Sequence, residues 1–130
     1  MEDKELIALA AEARNQAYAR YSCYAVGAAL LTVSGKVYTG CNVENASYGL
    51  SMCAERTAAF KAVCAGEREF SAIAVVTQNG VAPCGACRQV LAEFGSQMRV
   101  IVADVEGNFR EYRLSQLLLE PFGPADLPGK

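Results

Sequence analysis

The 130-residue chain has the size and composition of one globular domain, which we predict to span residues 1–130. Apolar residues make up 52% of it and charged residues 20%, which excludes a disordered chain. The net charge of −2 argues against a nucleic-acid-binding protein and leaves neutral small molecules as partners. Acidic and basic residues alternate with periodic apolar residues at the N-terminus, which is not the pattern of a signal or transit peptide. No apolar run reaches about 18 residues, the length of a membrane-spanning helix. We therefore expect a cytoplasmic protein without a membrane segment.

The six cysteines of a cytoplasmic protein should be reduced thiols, either buried or bound to metal. The chain contains no histidine. A transition-metal site would therefore use thiolates and carboxylates, and no imidazole can serve as general base.

The first half of the chain predicts a helix, a hairpin and a second helix. Apolar residues recur at helical spacing over residues 4–19, which indicates an amphipathic helix. Two β-rich runs, residues 26–33 and 37–41, flank the turn sequence Ser34-Gly35-Lys36 and predict a hairpin. A further helix should begin near Cys53 and end at Gly66, where a left-handed residue can cap it.

The second half of the chain alternates strands with helices. A continuous apolar run at residues 70–77 predicts a strand covered on both faces, and a helix should follow from Pro83 to Phe94. Strands are predicted at residues 99–104 and 109–114, and Ser115 is a candidate N-cap for a last short helix. The central strand–helix–strand order favours parallel pairing. The fold class is therefore α/β, with a single mixed sheet flanked by helices.

The stretch PCGACRQV at residues 83–90 carries the first chemical motif. Cys84 and Cys87 are three residues apart, which places both thiols on one side of a helical turn. The positive end of that helix lowers thiol pKa values and favours metal-binding thiolates. On its own the pair fits a redox dithiol, half of a structural zinc site, or part of an open catalytic site.

A third cysteine, Cys53, helps to separate these alternatives. A closed site of four cysteines usually has a second C-x-x-C pair, but the other cysteines here are isolated. Three thiolates would leave a tetrahedral zinc ion with one open position, which is typical of a catalytic metal. Cys23, Cys41 and Cys64 have no metal spacing, so we predict them to be core or surface thiols.

Glu55 follows Cys53 by two residues and suits the transfer of protons between water and a substrate. Residues i and i+2 of a regular helix point roughly 200° apart, so Cys53 must lie at or before the helix cap. Three thiolates on Zn²⁺ leave a net negative charge, which a neighbouring cation would offset. Arg56 is the first candidate for that cation, and Arg88 is the second.

Cys-Ala-Glu at residues 53–55, followed by Pro-Cys-x-x-Cys at residues 83–87, resembles the zinc-dependent nucleoside and nucleobase deaminases. The stretches VGAALLT, GCNVENASYGLSMCAERTAAFKAV and APCGACRQVL are similar to the small, homotetrameric cytidine deaminase family. The likeness runs from about residue 6 to residue 127. It implies a three-layer α/β/α fold with one mixed five-stranded sheet. It also implies zinc-dependent hydrolytic deamination of cytidine and 2′-deoxycytidine to uridine and 2′-deoxyuridine, with release of ammonia, in pyrimidine salvage.

The resemblance further implies a role for each matching residue. One Zn²⁺ per subunit would be held by Cys53, Cys84 and Cys87, with Glu55 moving protons and Arg56 neutralising the thiolates. Among the implied substrate-binding residues, Asn42 and Glu44 would contact the ribose and Tyr24 would contact the base. Neighbouring subunits of a homotetramer would contribute Ala46, Tyr48 and Phe122.

The segment ARYSCY at residues 19–24 departs from the family pattern. Arg20 stands where the family usually has proline, and Tyr24 stands where it has phenylalanine. The Tyr24 ring can still stack on a base, but its hydroxyl alters the wall of the pocket.

Two other functions remain compatible with the motifs. One is deamination of a different cytosine nucleoside, such as blasticidin S, although Asn42 and Glu44 favour a plain nucleoside with a free ribose. The other is a zinc-stabilised binding module without turnover. Editing of RNA or DNA is disfavoured because the chain lacks a basic stripe.

Overall fold

The computed structural model describes residues 1–129, and five strands in it form one mixed sheet. The strands are β1 (Gly27–Thr32), β2 (Val37–Cys41), β3 (Phe70–Val76), β4 (Arg99–Ala103) and β5 (Phe109–Arg113). Their order across the sheet is β2-β1-β3-β4-β5. β3 and β4 pair in parallel, and the other neighbours are antiparallel. The predicted mixed sheet with a parallel centre is confirmed.

Helices cover both faces of this sheet. They are α1 (Asp3–Arg14), α2 (Ala54–Cys64), α3 (Gly85–Gly95) and α4 (Leu114–Leu117), with 3₁₀ turns at Tyr48–Leu50 and Pro124–Asp126. Leu6 and Ala10 of α1 pack on one face, while α2, α3 and α4 pack on the other. The three-layer α/β/α architecture is thereby confirmed. None of the helices among residues 1–129 is long and apolar enough to cross a membrane.

The alanine-rich helix α2 packs closely against the sheet. Ala54, Ala58 and Ala62 recur every four residues and are fully buried. The first two lie against Gly40 of β2, where a Cβ atom would lie only 2.6 Å from the Ala54 carbonyl oxygen and the Ala58 nitrogen. Gly66, with a φ of +98°, follows the helix in the predicted left-handed conformation. The small side chains thus allow α2 to pack close to the sheet, and its first turn carries part of the site.

The first helix is shorter than the predicted range of residues 4–19, because it ends at Arg14. The residues beyond it pair with a distant loop instead. The Tyr18 nitrogen donates to the Asn42 carbonyl oxygen at 2.9 Å, and the Glu44 nitrogen donates to the Tyr18 oxygen at 2.9 Å. These tertiary hydrogen bonds replace the helical ones that local periodicity favours.

Two helix starts also differ from the prediction. α3 begins at Gly85 with Cys84 as its N-cap, so Pro83 precedes the helix and does not form its first residue. α4 begins at Leu114 with Arg113 as its N-cap, so Ser115 is not the cap. The side chain of Gln116 accepts a hydrogen bond from the Arg113 nitrogen at 2.8 Å, which satisfies a backbone donor at this helix start.

Candidate active site

The N-termini of α2 and α3 meet and bring three thiols together. Cys53 and Cys84 are the N-caps of these helices, with extended backbone conformations, and Cys87 is fully buried in the first turn of α3. The Sγ atoms of Cys53 and Cys84 are 3.8 Å apart, and those of Cys84 and Cys87 are 3.4 Å apart. All three sulfurs lie within 4.8 Å of one another, and no other such group occurs in the described part of the chain.

The sulfur positions match those required by a single zinc ion. Four tetrahedral ligands with zinc–sulfur distances of about 2.3 Å would place neighbouring sulfurs about 3.8 Å apart. The observed separations agree with that value and are far longer than a disulfide bond. Cys23, Cys41 and Cys64 lie outside the group, and all six cysteines are free thiols.

Of the two candidate cations, Arg56 alone contacts the sulfur cluster. Its Nη2 atom donates to the Cys53 sulfur at 3.3 Å, and its Nε atom is buried without a protein partner. Arg88 points elsewhere: its Nε donates to the Pro83 carbonyl oxygen and its Nη1 to the Leu117 carbonyl oxygen, both at 2.7 Å. Arg56 is therefore placed to offset thiolate charge, whereas Arg88 ties α3 to its neighbouring segments.

Two of the clustered thiols, Cys53 and Cys87, have pKa values shifted in opposite directions. The pKa of Cys53 is lowered to about 5, chiefly by a hydrogen bond with Cys87 and secondly by the hydrogen bond from Arg56. The pKa of Cys87 is raised by the same hydrogen bond and by burial. Cys53 is thus a thiolate supported by neighbouring donors, which is the ionisation state that a metal ligand needs.

Glu55 lies in the first turn of α2, beside the thiols. Cys53 has an extended backbone with a ψ of 152°, so the wide angle between residues i and i+2 of a regular helix does not apply. Both side chains therefore face the same cavity. Only 5% of Glu55 is exposed, and this burial raises the pKa of its carboxyl group to about 7.

The cavity has a volume of about 360 Å³ and lies at the end of β3, where the loops 15–26, 42–53 and 77–84 converge. Residues on its wall include most of the predicted site: Tyr24, Asn42, Glu44, Tyr48, Cys53, Glu55 and Cys84. The fold thus brings one face of the thiol cluster, the buried carboxylate and the predicted nucleoside-binding residues around one space.

Asn42 supports the cavity wall with both ends of its amide. Its Oδ1 accepts a hydrogen bond from the Val26 nitrogen at 2.9 Å, and its Nδ2 donates to the Tyr24 carbonyl oxygen at 2.8 Å. An amide group has two donors and two acceptor lone pairs, so one of each remains for a ligand.

Glu44 is held in a similar way by the loop before β1. Its Oε1 accepts from the backbone nitrogens of Tyr21 and Ser22 at 2.9 and 3.0 Å, and its Oε2 accepts from the Ser22 hydroxyl. The hydrogen bond from the Ser22 hydroxyl is the main reason that the pKa of Glu44 is lowered. Glu44 is therefore an ionised acceptor at the cavity, with further lone pairs free.

Two predicted substrate-binding residues lie outside this cavity. Ala46 is exposed, and Phe122 is 57% exposed on the C-terminal segment. The Phe122 carbonyl oxygen accepts a hydrogen bond from Gln89 at 2.6 Å, and Phe122 does not line the cavity of its own chain. Tyr48 lines the cavity yet remains 62% exposed.

Sequence reasoning missed three polar residues of the cavity wall, Ser22, Ser51 and Thr77. Thr77 is 2% exposed, and its hydroxyl accepts from the Gly80 nitrogen at 2.8 Å and the Val81 nitrogen at 3.2 Å. The signal for Thr77 was a polar residue at the carboxyl end of a buried strand, where α/β proteins commonly place ligand-binding groups. Arg20 lies outside the cavity, with its guanidinium 5.8 Å from the centre of the Tyr21 ring.

Comparison with known proteins assigns the family. The profile "Cytidine and deoxycytidylate deaminase zinc-binding region" matches residues 1–104. The chain belongs to this family. A cytidine deaminase of Sporosarcina psychrophila is 49% identical, over 98% of this chain and 96% of the relative. The resemblance seen in the sequence motifs is therefore confirmed.

Solved structures support the same assignment. The crystal structure of cytidine deaminase from Burkholderia pseudomallei has a TM-score of 0.91 and 51% identity, covering 94% of this chain and all of the other. That of cytidine deaminase from Mycobacterium tuberculosis has a TM-score of 0.82 and 40% identity, covering 95% and 98% of the two chains. This family has a zinc-binding region, and the three clustered thiols fit one zinc ion.

The thiol cluster leads to a prediction about metal content. Cys84→Ala should reduce bound zinc from about one ion per chain to well below half, because two thiolates hold zinc much more weakly than three. The matched control is Cys64→Ala, which removes an exposed thiol outside the cluster and should leave the zinc content unchanged. Elemental analysis of the purified proteins measures both. Full zinc occupancy in Cys84→Ala would contradict the ligand assignment.

Proposed function

We propose that this chain is a zinc-dependent hydrolase that deaminates cytidine and 2′-deoxycytidine to uridine and 2′-deoxyuridine, with release of ammonia in pyrimidine salvage. The observation that carries the proposal is the placement of the three-sulfur cluster and the buried Glu55 beside one cavity. Relatives named cytidine deaminase match nearly the whole chain, at up to about half identity. The rival reading of a binding module without turnover does not require a buried carboxylate beside the metal ligands.

In this proposal Cys53, Cys84 and Cys87 hold the zinc ion, and Arg56 offsets part of the thiolate charge through its contact with the Cys53 sulfur. A bound zinc ion would supply Lewis acidity that makes water a nucleophile near neutral pH. The N-termini of α2 and α3 add their positive ends at the cluster. The protein therefore supplies ligands, charge balance and orientation at one point.

Glu55 moves the protons of the reaction. Its carboxylate takes a proton from the attacking water and delivers it to the ring nitrogen of the cytosine base. The water oxygen bonds to the amine-bearing carbon, and the carbon–nitrogen bond to the amine then breaks. Glu55 transfers the second water proton to the departing amine, which leaves as ammonia. The products are uridine and ammonia, and Glu55 ends in its starting state.

The nucleoside would lie along the wall formed by Tyr24, Asn42 and Glu44. Asn42 retains a donor and an acceptor, and Glu44 retains acceptor lone pairs, which suits hydrogen bonding to the ribose 3′-hydroxyl. The Tyr24 ring borders the same cavity and can stack on the base. Such a site needs a small neutral ligand, in agreement with the slight negative charge of the chain.

We further propose a homotetramer in which neighbouring subunits complete each site. Tyr48, Leu50 and Phe122 are large apolar residues that are 62%, 70% and 57% exposed. Tyr48 borders the cavity, and Ala46 is exposed two residues before it. Contacts between subunits at these positions would bury the apolar groups, and would bring Ala46, Tyr48 and Phe122 to a neighbouring site.

A cytoplasmic location also belongs to the proposal. Zinc ligation requires the three thiols to remain reduced, and a reducing compartment maintains them in that state. The two cysteines outside the cluster that are most exposed, Cys23 and Cys64, likewise fit a reducing environment.

The proposed role of Glu55 predicts that Glu55→Gln retains zinc but loses activity by about 10²-fold or more, the usual scale for general acid–base groups. The amide keeps the shape of the side chain and cannot exchange the proton. Loss of cytidine absorbance measures turnover, and elemental analysis measures zinc. The control Glu106→Gln makes the same change on an exposed turn and should be as active as the parent. Parental turnover in Glu55→Gln would contradict the mechanism.

The proposed assembly predicts a mass four times that of the 13.9 kDa chain at micromolar concentration in sedimentation equilibrium. Tyr48→Asp places a charge in the apolar surface and should shift the protein toward smaller species. Val33→Asp is the matched control, because Val33 is 62% exposed in the hairpin turn, away from the cavity. A parent protein that sediments only as a monomer would contradict both the tetramer and the shared sites.

A further inference from the structure

The wall of the cavity contains a hydrogen bond that joins two loops far apart in sequence. The Tyr24 hydroxyl donates to Oδ1 of Asn79 at 2.5 Å. Tyr24 borders the cavity, whereas Asn79 is exposed and does not line the space. We propose that Asn79 is a positioning residue that holds the Tyr24 ring against the nucleoside. This inference rests on the proposed function.

Asn79 is well placed to act as a fixed support. The Thr77 hydroxyl accepts hydrogen bonds from the nitrogens of Gly80 and Val81, which close a tight turn around Asn79. Gly80 has a φ of +69°, a conformation that favours glycine and permits the turn. The same loop continues to Cys84 at the thiol cluster. The Tyr24 ring is thus attached to the loop that ends at Cys84, one of the three proposed zinc ligands.

The backbone of Tyr24 is held independently of its hydroxyl. Asn42 donates to the Tyr24 carbonyl oxygen at 2.8 Å, and the Tyr24 nitrogen donates to the Ser22 hydroxyl oxygen at 3.1 Å. The freedom that remains is rotation of the side chain. The bond to Asn79 restrains that rotation at the far end of the ring. A phenylalanine at position 24 would keep the ring and lack this restraint.

Restraint of the ring should act on binding and leave proton transfer unaffected. A ring that is already oriented does not have to be ordered when the nucleoside arrives, so less binding free energy is lost. Neither Tyr24 nor Asn79 contacts Glu55 or a cluster sulfur through a hydrogen bond. The expected signature is therefore a change in KM with kcat preserved.

The test compares Tyr24→Phe, Asn79→Ala and the double variant with the zinc-loaded parent. Each single change should raise KM for cytidine by about threefold to tenfold, the range expected for one hydrogen bond, with kcat within about twofold. The double variant should have the KM of a single variant, because either change alone removes the same bond. Unchanged KM in both single variants, or additive effects in the double variant, would overturn the proposal.

Rescue and control variants separate positioning from general disturbance. Asn79→Asp keeps an acceptor oxygen at the same reach and should restore KM to within about twofold of the parent. Tyr112→Phe removes a hydroxyl that accepts from Arg110 on β5, and Asn108→Ala removes an amide that donates to Asp104. Both lie in the β4–β5 region, away from the cavity, and should leave KM unchanged. Failure of Asn79→Asp to restore KM would count against a hydrogen-bonding role.

Hydrogen exchange gives a readout that does not depend on turnover. In the zinc-loaded protein, Tyr24→Phe and Asn79→Ala should each speed amide exchange in both peptides, residues 19–26 and 77–84, because the bond restrains both loops. Unchanged exchange in both peptides would overturn the proposal. A parent that binds zinc without deaminating cytidine would instead contradict the proposed function, and exchange would still decide whether the bond restrains the loops.

Discussion

The meeting of two helix N-termini is the constraint on which the rest of the structure depends. Cys53 caps α2 and Cys84 caps α3, so the sulfurs lie where backbone N–H groups and helix dipoles favour negative charge. That meeting requires α2 to lie close to the sheet. The buried residues Ala54 and Ala58 lie against Gly40, and the small size of all three residues makes the close approach possible. The alanine-rich composition of α2 therefore reflects the placement of the site as much as helix propensity.

The absence of histidine from the chain determines the electrostatics of the site. Three thiolates exceed the charge of one zinc ion, and this excess weakens its Lewis acidity. The positive charge of Arg56 can offset part of this excess negative charge, because Arg56 follows Glu55 in the same turn and donates a hydrogen bond to the Cys53 sulfur. Four consecutive residues, Cys53 to Arg56, thus contribute a proposed ligand, a buried carboxylate and the proposed balancing cation. The other two proposed ligands come from the start of α3.

Residue patterns with a local physical cause predicted much of the fold and the thiol cluster. The continuous apolar run at residues 70–77 predicted a buried strand, and the structure has β3 there. The spacing of Cys84 and Cys87 predicted paired thiols, and both sulfurs lie in the same cluster. The end of α1 could not be predicted in this way, because Tyr18 leaves the helix to pair with a loop distant in sequence. Helical periodicity contains no information about such competing tertiary hydrogen bonds.

In the cavity wall, too, some residues could be predicted from the sequence, whereas the hydrogen bonds between distant loops could not. Tyr24, Asn42 and Glu44 were predicted through the family resemblance, yet their partners were not. Ser22 donates to the Glu44 carboxylate from a position 22 residues earlier in the chain, and local sequence patterns do not predict such a contact. The bond between Tyr24 and Asn79 joins residues 55 positions apart. A polar residue next to a glycine in a turn predicts only the turn. The hydrogen bond between Tyr24 and Asn79 can be identified only from the three-dimensional positions of both loops.

The most direct test of the account is zinc K-edge X-ray absorption spectroscopy of the purified, untreated protein. An open three-thiolate site predicts three sulfur scatterers at about 2.3 Å and a single lighter atom at about 2.0 Å. A shell of four sulfurs would indicate a closed structural site. Two or fewer sulfurs would show that Cys53, Cys84 and Cys87 do not hold the metal together. Either of these results would contradict the account.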